Sequence, residues 1–334
     1  MAKVDKFYMI KSFEHLTPEL VISSVESELA IPLAGFASPF PSYINRVYEL
    51  SGTDNTRYVA KFYRPGRWER DAILDEHSFV RECAVDEIPV VAPLTLANGT
   101  TLGETEGIIF AVYPKRSGRG FEMKEEGDWQ RLGRVLARMH NAGARAPAMS
   151  RITMHPEESA LNDIEEIVTG GFLPLSCQRT FKDTCFRILD ETAELFDGIE
   201  FIRIHGDCHR ANVLERPDEG LMIIDFDDMA NGPAVQDFWL LLPGHPPDCM
   251  METELILDGY RQFRDFDDST LNLIEPLRAM RIIYFLAWCA RQSNDINFKH
   301  NFPDWGGENF WRKENADLER QLQIIKNSLE NPLY

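Results

Sequence analysis

The chain has 334 residues, 44% of them hydrophobic, which is enough to bury one large core or two modest ones and leaves no sign of disorder. A formal net charge of -19 argues against sequence-independent nucleic-acid binding, because a phosphate backbone would be repelled over most of the surface. The longest apolar run, residues 282–290, is far too short to span a bilayer, and Met1-Ala2-Lys3-Val4-Asp5-Lys6-Phe7 lacks the charged-then-apolar layout of a secretory signal. A soluble, cytoplasmic protein with no membrane partner is expected. The cysteines, Cys83, Cys177, Cys185, Cys208, Cys249 and Cys289, have no pairwise metal spacing and read as reduced, mostly buried thiols.

In chain order, Thr17-Pro18-Glu19 has the capping hydroxyl and first-turn proline of a helix start, and predicts a helix over 17–30. Three short strands follow at 33–36, 46–50 and 57–63, the last two joined by the turn residues Ser51-Gly52-Thr53-Asp54-Asn55. Residues 68–83 space Ile73, Leu74, His77 and Val80 on one helical face, and 89–96 and 107–113 read as further strands. A strand-rich lobe therefore closes near Tyr113, and Pro114-Lys115-Arg116-Ser117-Gly118-Arg119-Gly120 is the expected linker. Beyond it, helices are predicted at 128–144 and near 157–168, 176–197, 252–265 and 270–293, with two short strands at 202–205 and 221–226. The division expected is a strand-rich lobe over 1–113 and a mainly helical lobe over 114–334.

The chemistry concentrates between those two strands. His205-Gly206-Asp207-Cys208-His209-Arg210-Ala211-Asn212 carries an Asn five positions after an Asp, and Ile223-Ile224-Asp225-Phe226-Asp227 adds a carboxylate at the end of an apolar strand. Phosphoryl transfer from ATP needs this set: one Asp to accept the proton of the attacking hydroxyl, and an Asn with a separate Asp to hold magnesium against the phosphates. Base and metal ligands must converge on one phosphoryl group from different sides, which a loop followed by a strand end allows. Asp207 is then the base, Asn212 and Asp225 ligate Mg2+, Asp227 reaches a second ion or its waters, and His205 and His209 brace the loop. The bland alternative is that Asp and Asn are common turn residues.

A cation is also needed at the phosphates. Tyr58-Val59-Ala60-Lys61-Phe62-Tyr63 puts Lys61 on a strand among apolar neighbours, where a lone Lys is otherwise an ordinary edge residue. Its expected partner is a carboxylate on the following helix, Glu76 in preference to Asp75 or Glu69.

Together, the 205–212 loop and Ile224-Asp225-Phe226-Asp227 resemble the aminoglycoside phosphotransferase and choline kinase superfamily, over nearly the whole chain. More narrowly, Ser42-Tyr43-Ile44-Asn45-Arg46-Val47-Tyr48, Lys61-Phe62-Tyr63-Arg64-Pro65, Asn231-Gly232-Pro233-Ala234-Val235-Gln236-Asp237 and Glu275-Pro276-Leu277-Arg278-Ala279-Met280-Arg281 resemble the bacterial stress response kinase A group. The resemblance implies an α+β, two-lobed, protein-kinase-like fold with a small β-rich N-terminal lobe and a larger helical C-terminal lobe. It also implies a serine/threonine protein kinase that phosphorylates proteins and itself, with Mg2+ and ATP; a monomer is expected. Carried over by motif, Asp207 is the proton acceptor, Asn212 and Asp225 bind magnesium, and Ser42 lies in the loop over ATP. Two departures from ordinary protein kinases stand out: Ala37-Ser38-Pro39-Phe40-Pro41-Ser42-Tyr43 has no glycine, and no Ala-Pro-Glu signature follows Asp225. A small-molecule kinase for an aminoglycoside, choline or a homoserine-like alcohol shares every catalytic residue named, and a nucleotide-binding pseudokinase remains a third reading. On the acceptor side, Trp239, Arg278, Arg281, Tyr284, Trp288, Trp305 and Trp311 are candidates that read mostly as core, with Asp237 a candidate partner for Arg281.

Overall fold

The computed structural model describes residues 13–216, 219–295 and 298–332; the sequence reading of Met1 to Phe7 lies outside the described residues. Contacts group the chain into two compact units. One comprises the chain up to Glu122 with Ala148–Arg151 and Arg210–Met229, and the other comprises Met123–Pro147, Ile152–His209 and Ala230 onward.

In the first unit, helix α1 (Pro18–Leu29) starts where the sequence places it: the Thr17 hydroxyl accepts the Leu20 N–H at 3.3 Å, and Pro18 occupies the first turn. It buries Val21 and Val25 against an antiparallel sheet of β1 (Leu33–Pro39), β2 (Arg46–Gly52), β3 (Arg57–Phe62), β4 (Gly103–Thr105) and β5 (Ile108–Pro114), in the order β1-β2-β3-β5-β4. Alternation sets the buried face of β2 at Tyr48 and Leu50, and Phe62 stacks on Phe110 with ring centroids 4.9 Å apart. Helix α2 (Arg70–Val85) follows β3. The strand expected over 89–96 is not formed. Pro89 and Pro93 lack the N–H that a ladder needs, so only Val90 bridges, in parallel with Ile223, while β4 supplies the fifth strand. A second, three-stranded sheet contains β6 (Arg119–Gly120), β8 (Val213–Arg216) and β9 (Gly220–Ile223).

The second unit is mainly helical. It contains α3 (Glu126–Gly143), α4 (Leu161–Thr169), entered by a π turn at Pro156–Ala160, α5 (Leu175–Thr192), α6 (Gln236–Trp239), α7 (Met250–Tyr260), α8 (Ile274–Gln292), α9 (Phe298–Asn301) and α10 (Glu308–Glu330). Helices α3 and α7 cross at paired glycines: a Cβ on Gly133 would lie 2.0 Å from the Ile256 carbonyl oxygen, and one on Gly259 would lie 2.1 Å from that of Gln130. Only glycine lets two helix backbones approach this closely. Helix α10, which the periodicity reading did not separate out, buries Trp311 edge-on against Phe181 of α5 at 5.6 Å, and its Gln321 donates to the Glu275 carboxylate at 2.7 Å. A short pair, β7 (Ile202–Ile204) with β10 (Ala230–Gly232), completes the unit. No helix among the described residues is long and apolar enough to cross a membrane, and all six cysteines are buried and outside any disulfide.

Candidate active site

The metal and phosphate candidates belong to the first unit. The hairpin β8 to β9 pairs Val213 with Ile223, and the Ile224 N–H continues the ladder to the Asn212 carbonyl at 3.0 Å. Asn212 and Asp225 therefore emerge side by side at one end of the hairpin, which is how two residues thirteen apart in sequence come to share a place. Asp225 adopts φ 64°, ψ 68°, a left-handed backbone that a side-chain-bearing residue holds only where its surroundings fix it. Its side chain is 56% exposed, against 7% for Asp227.

Lys61, on β3 between Val47 and Ala111, reaches both carboxylates: its Nζ is 3.1 Å from Asp225 Oδ1 and 3.0 Å from Asp227 Oδ1. Burial pulls the ammonium's pKa down, but Asp225, Asp227 and Glu76 outweigh it and hold the pKa well above the usual lysine range. Burial pushes the Asp227 carboxyl up, and Lys61 and Arg67 reverse this and hold it far below the ordinary carboxylate range. Arg67 forms an ion pair with Asp227 and reaches Asp228 at 2.6 Å, while Asn45 donates to Asp227 at 3.3 Å.

Glu76, expected opposite Lys61, makes its ion pair with Arg151, 2.8 Å away. Burial raises the Glu76 pKa against the pull of Lys61 and Arg151. The Arg151 side chain is fully buried; it also donates to the carbonyls of Ala72 and Asp227 at 2.7 Å each, and lies over the Trp68 ring at 4.1 Å. It thus joins α2 to the segment after Asp225. Ser42 is half-buried in the turn between β1 and β2. That turn is held by Arg64, which donates to the carbonyls of Ile44 and Tyr43 at 2.9 Å each and takes the Asn45 side chain on its own N–H at 3.0 Å.

Among the described residues no group of three or more His, Cys, Asp or Glu is arranged to hold a metal. Asn212 and the exposed carboxylate of Asp225, which already faces an ammonium ion, are instead a hard-oxygen pair that could hold a divalent ion bringing phosphate and water oxygens with it.

The base candidate belongs to the second unit. Asp237 on α6 is fully buried and accepts the backbone N–H of His205 at 2.8 Å and of Gly206 at 2.9 Å, one on each carboxylate oxygen. Gln236 donates to the Gly206 carbonyl at 2.9 Å, and Gly206 takes φ 81°, so the chain turns sharply just before Asp207. Behind Asp237, His140 of α3 lies with Nε2 3.1 Å from Oδ2 and Nδ1 3.0 Å from the Tyr260 hydroxyl, a pairing that one neutral imidazole satisfies at both nitrogens. The Asp207 N–H meets His205 Nδ1 at 3.3 Å, which makes His205 a brace, as expected.

The Asp207 carboxylate faces Arg281 at 2.7 Å and His209 at 3.4 Å. Asp237, one candidate partner for Arg281, is instead occupied by the backbone and His140. Burial pushes the Asp207 carboxyl up, and the contacts with His209 and Arg281 outweigh it, so it sits below its ordinary value. His209 is raised in turn, first by its hydrogen bond to Asp207. Trp239 and Trp311 are buried, as packing residues should be.

The first unit holds a buried lysine paired with aspartates and a hairpin that presents Asn and Asp together, and the second holds a loop Asp next to a pinned backbone, the residue types that phosphoryl transfer uses. Residues 37–271 match the model of the phosphotransferase enzyme family, and the chain belongs to that family. Within it, the chain groups with stress response kinase A: it is 38% identical to Stress response kinase A of Escherichia coli K12 over 94% of this chain and 95% of that one. It is 36% identical, over the same shares, to the serine/threonine protein kinase RdoA of Salmonella typhimurium LT2. Among solved structures, an amicoumacin kinase in complex with AMP-PNP, Ca2+ and its antibiotic superposes with a TM-score of 0.67 at 19% identity, covering 93% of each chain, a likeness of fold. The kinase-like fold expected from the sequence is the one observed.

Proposed function

We propose that the chain is an ATP- and Mg2+-dependent serine/threonine protein kinase, with residues 1–113 as the ATP-binding lobe and 114–334 as the catalytic and substrate lobe. The observation that carries this reading is the buried Lys61 in contact with Asp225, beside Asn212 on the same hairpin, in a chain 36% identical over 94% of its length to a relative named a serine/threonine protein kinase. In this reading Lys61 binds the α and β phosphates, Asn212 and Asp225 hold Mg2+, and Ser42 lies in the glycine-free turn over the nucleotide. Bound there, Mg2+ would neutralise charge on the phosphates. Asp207 takes the proton of the acceptor hydroxyl as the hydroxyl oxygen bonds to the γ-phosphorus and ADP leaves. Glu76 acts on Lys61 through its charge, held in place by Arg151.

The test is incubation with labelled ATP, Mg2+ and generic basic proteins, with and without the acceptor alcohols of small-molecule kinases. Label in protein, either an added acceptor or the chain itself, supports the proposal. The amicoumacin kinase of like fold motivates the second reading. No protein label beside brisk labelling of an aminoglycoside, choline or homoserine would replace the first reading with it.

A further inference from the structure

The connection from β3 to α2 is written in its sequence. Arg64-Pro65-Gly66-Arg67 carries proline and glycine at the two central positions, the pattern of a type II turn, in which the second of them needs a positive φ. Gly66 takes φ 81°, and the Arg67 N–H closes the turn on the Arg64 carbonyl at 3.2 Å. Arg67 thus lies just beyond the Lys61 to Pro65 string, and it leaves the turn with only 14% of its side chain exposed. Its two terminal nitrogens go to two consecutive side chains: Nη1 donates to Asp227 Oδ2, and Nη2 donates to Asp228 Oδ1 at 2.6 Å.

Asp227 and Asp228 belong to the 3-10 turn Phe226–Asp228, which Asp225 opens with its left-handed backbone. Such a backbone persists only where the surrounding structure over-determines it, and each neighbour of Asp225 is tied down. The Ile224 N–H is fixed on the Asn212 carbonyl, the Phe226 ring packs edge-on against Phe79 with centroids 5.8 Å apart, and Arg151 holds the Asp227 carbonyl at 2.7 Å. Arg67 adds a grip on two side chains of the same turn at once. We infer that Arg67 is a positioning residue for the metal ligand: by clamping Asp227 and Asp228 it keeps the turn closed, and so holds the Asp225 carboxylate beside Asn212. This rests on the proposed reading of Asp225 as a magnesium ligand. A guanidinium suits the role because its planar fork sets the separation of the two carboxylates it joins, which a single ammonium group cannot do. Partners that orient a metal ligand in this way act on the affinity for the metal.

The experiment is calorimetry of AMP-PNP binding, in Mg2+ and in EDTA, for wild type, Arg67→Lys, Asp225→Asn and the double variant. Arg67→Lys keeps the charge and loses the fork. Its affinity in Mg2+ should fall about tenfold, the low end for a residue that orients a metal ligand, while its affinity in EDTA stays within about twofold of wild type. In the Asp225→Asn background the ligand is already gone, so adding Arg67→Lys should cost less than about twofold more. A role confined to packing would lower the melting temperature of Arg67→Lys and leave its Mg2+ dependence in place. An affinity equal to wild type in Mg2+, equal losses with and without the metal, or a further loss of about tenfold on top of Asp225→Asn each overturns the inference. Should Arg67→Lys not fold, Asp228→Asn carries the test, because it removes the more exposed partner of the fork, and an unchanged Mg2+ dependence there overturns the inference as well. An Asp225→Asn variant whose affinity changes alike with and without Mg2+ overturns instead the reading of Asp225 on which the inference stands.

Discussion

Asp225 is the residue at which backbone geometry and chemistry coincide. Its left-handed conformation, φ 64°, carries the carboxylate away from the end of β9 to where Lys61 meets it, and leaves it half in solvent. Two consequences of its proposed role separate cleanly. On that proposal Asp225→Asn removes a charged oxygen ligand, so nucleotide binding that depends on Mg2+ should weaken by about tenfold or more, the factor that ~1.4 kcal/mol represents. Binding of the metal-free nucleotide should hold or improve, because one negative charge is removed beside the phosphates. Calorimetry with and without EDTA distinguishes the two, and equal losses in both conditions would remove Asp225 from the metal-ligand role. Cys208 illustrates the opposite case. It adjoins the proposed base in sequence, yet burial pushes its thiol well above the ordinary range, so little thiolate is available for oxidation. Cys208→Ser should leave the peroxide sensitivity of phosphotransfer unchanged, and protection by that substitution would show a reactive thiol.

At the scale of elements, the organising contact of the first unit is Arg151, which ties α2 through Glu76 and Ala72 to the chain after Asp225 through the Asp227 carbonyl. Both partners of the ion pair are buried, so removing one strands the other as an uncompensated charge. Arg151→Met should cost about 3–5 kcal/mol in urea unfolding, and the further change Glu76→Gln should recover part of that loss. Additive losses in the double variant would mean the pair is not coupled.

Local features were the legible part of this fold. The Thr17 cap, the turn between β2 and β3, the α2 periodicity and the Asp207 to Asn212 loop each announce themselves within a few residues. Arg151 announces nothing: it sits in a short connection far from every motif, and its role exists only once α2 and the segment after Asp225 converge on it. The same reason hid β8 and β10, whose brevity gives no alternation to read, and misplaced a strand at 89–96, where apolar residues fit the pattern while the prolines deny it hydrogen bonds. His140 was hidden because its apolar helical neighbours made it look like ordinary core. Asp237 lay inside a recognised string, but its task of accepting the His205 and Gly206 N–H groups depends on a turn that no spacing reveals.

For the whole molecule the governing quantity is charge: 54 acidic against 35 basic side chains. Many exposed ion pairs, such as Arg70 with Glu104 at 3.0 Å and Arg179 with Asp183 at 3.4 Å, are of the kind that contributes little. The pairs around Lys61, Asp227 and Arg151 are buried and weakly screened. Added salt should therefore act mainly on the surplus of unpaired surface carboxylates. Their mutual repulsion extends over the Debye length, about 10 Å at 0.1 M and ~3 Å at 1 M ionic strength. Screening should stabilise the fold, and if it recovers ~1 kcal/mol the melting temperature should rise by about 1–2 °C between 20 mM and 500 mM NaCl. The same screening should weaken phosphorylation of a basic protein acceptor, because attraction to an acidic surface fades with ionic strength. Phosphorylation of a neutral acceptor should change far less, so the ratio of the two rates against salt reads the electrostatic contribution directly. A melting temperature that falls with salt would mean that the surface ion pairs outweigh the net repulsion. A rate ratio independent of salt would mean that the acceptor is recognised by shape and hydrogen bonding rather than by its charge.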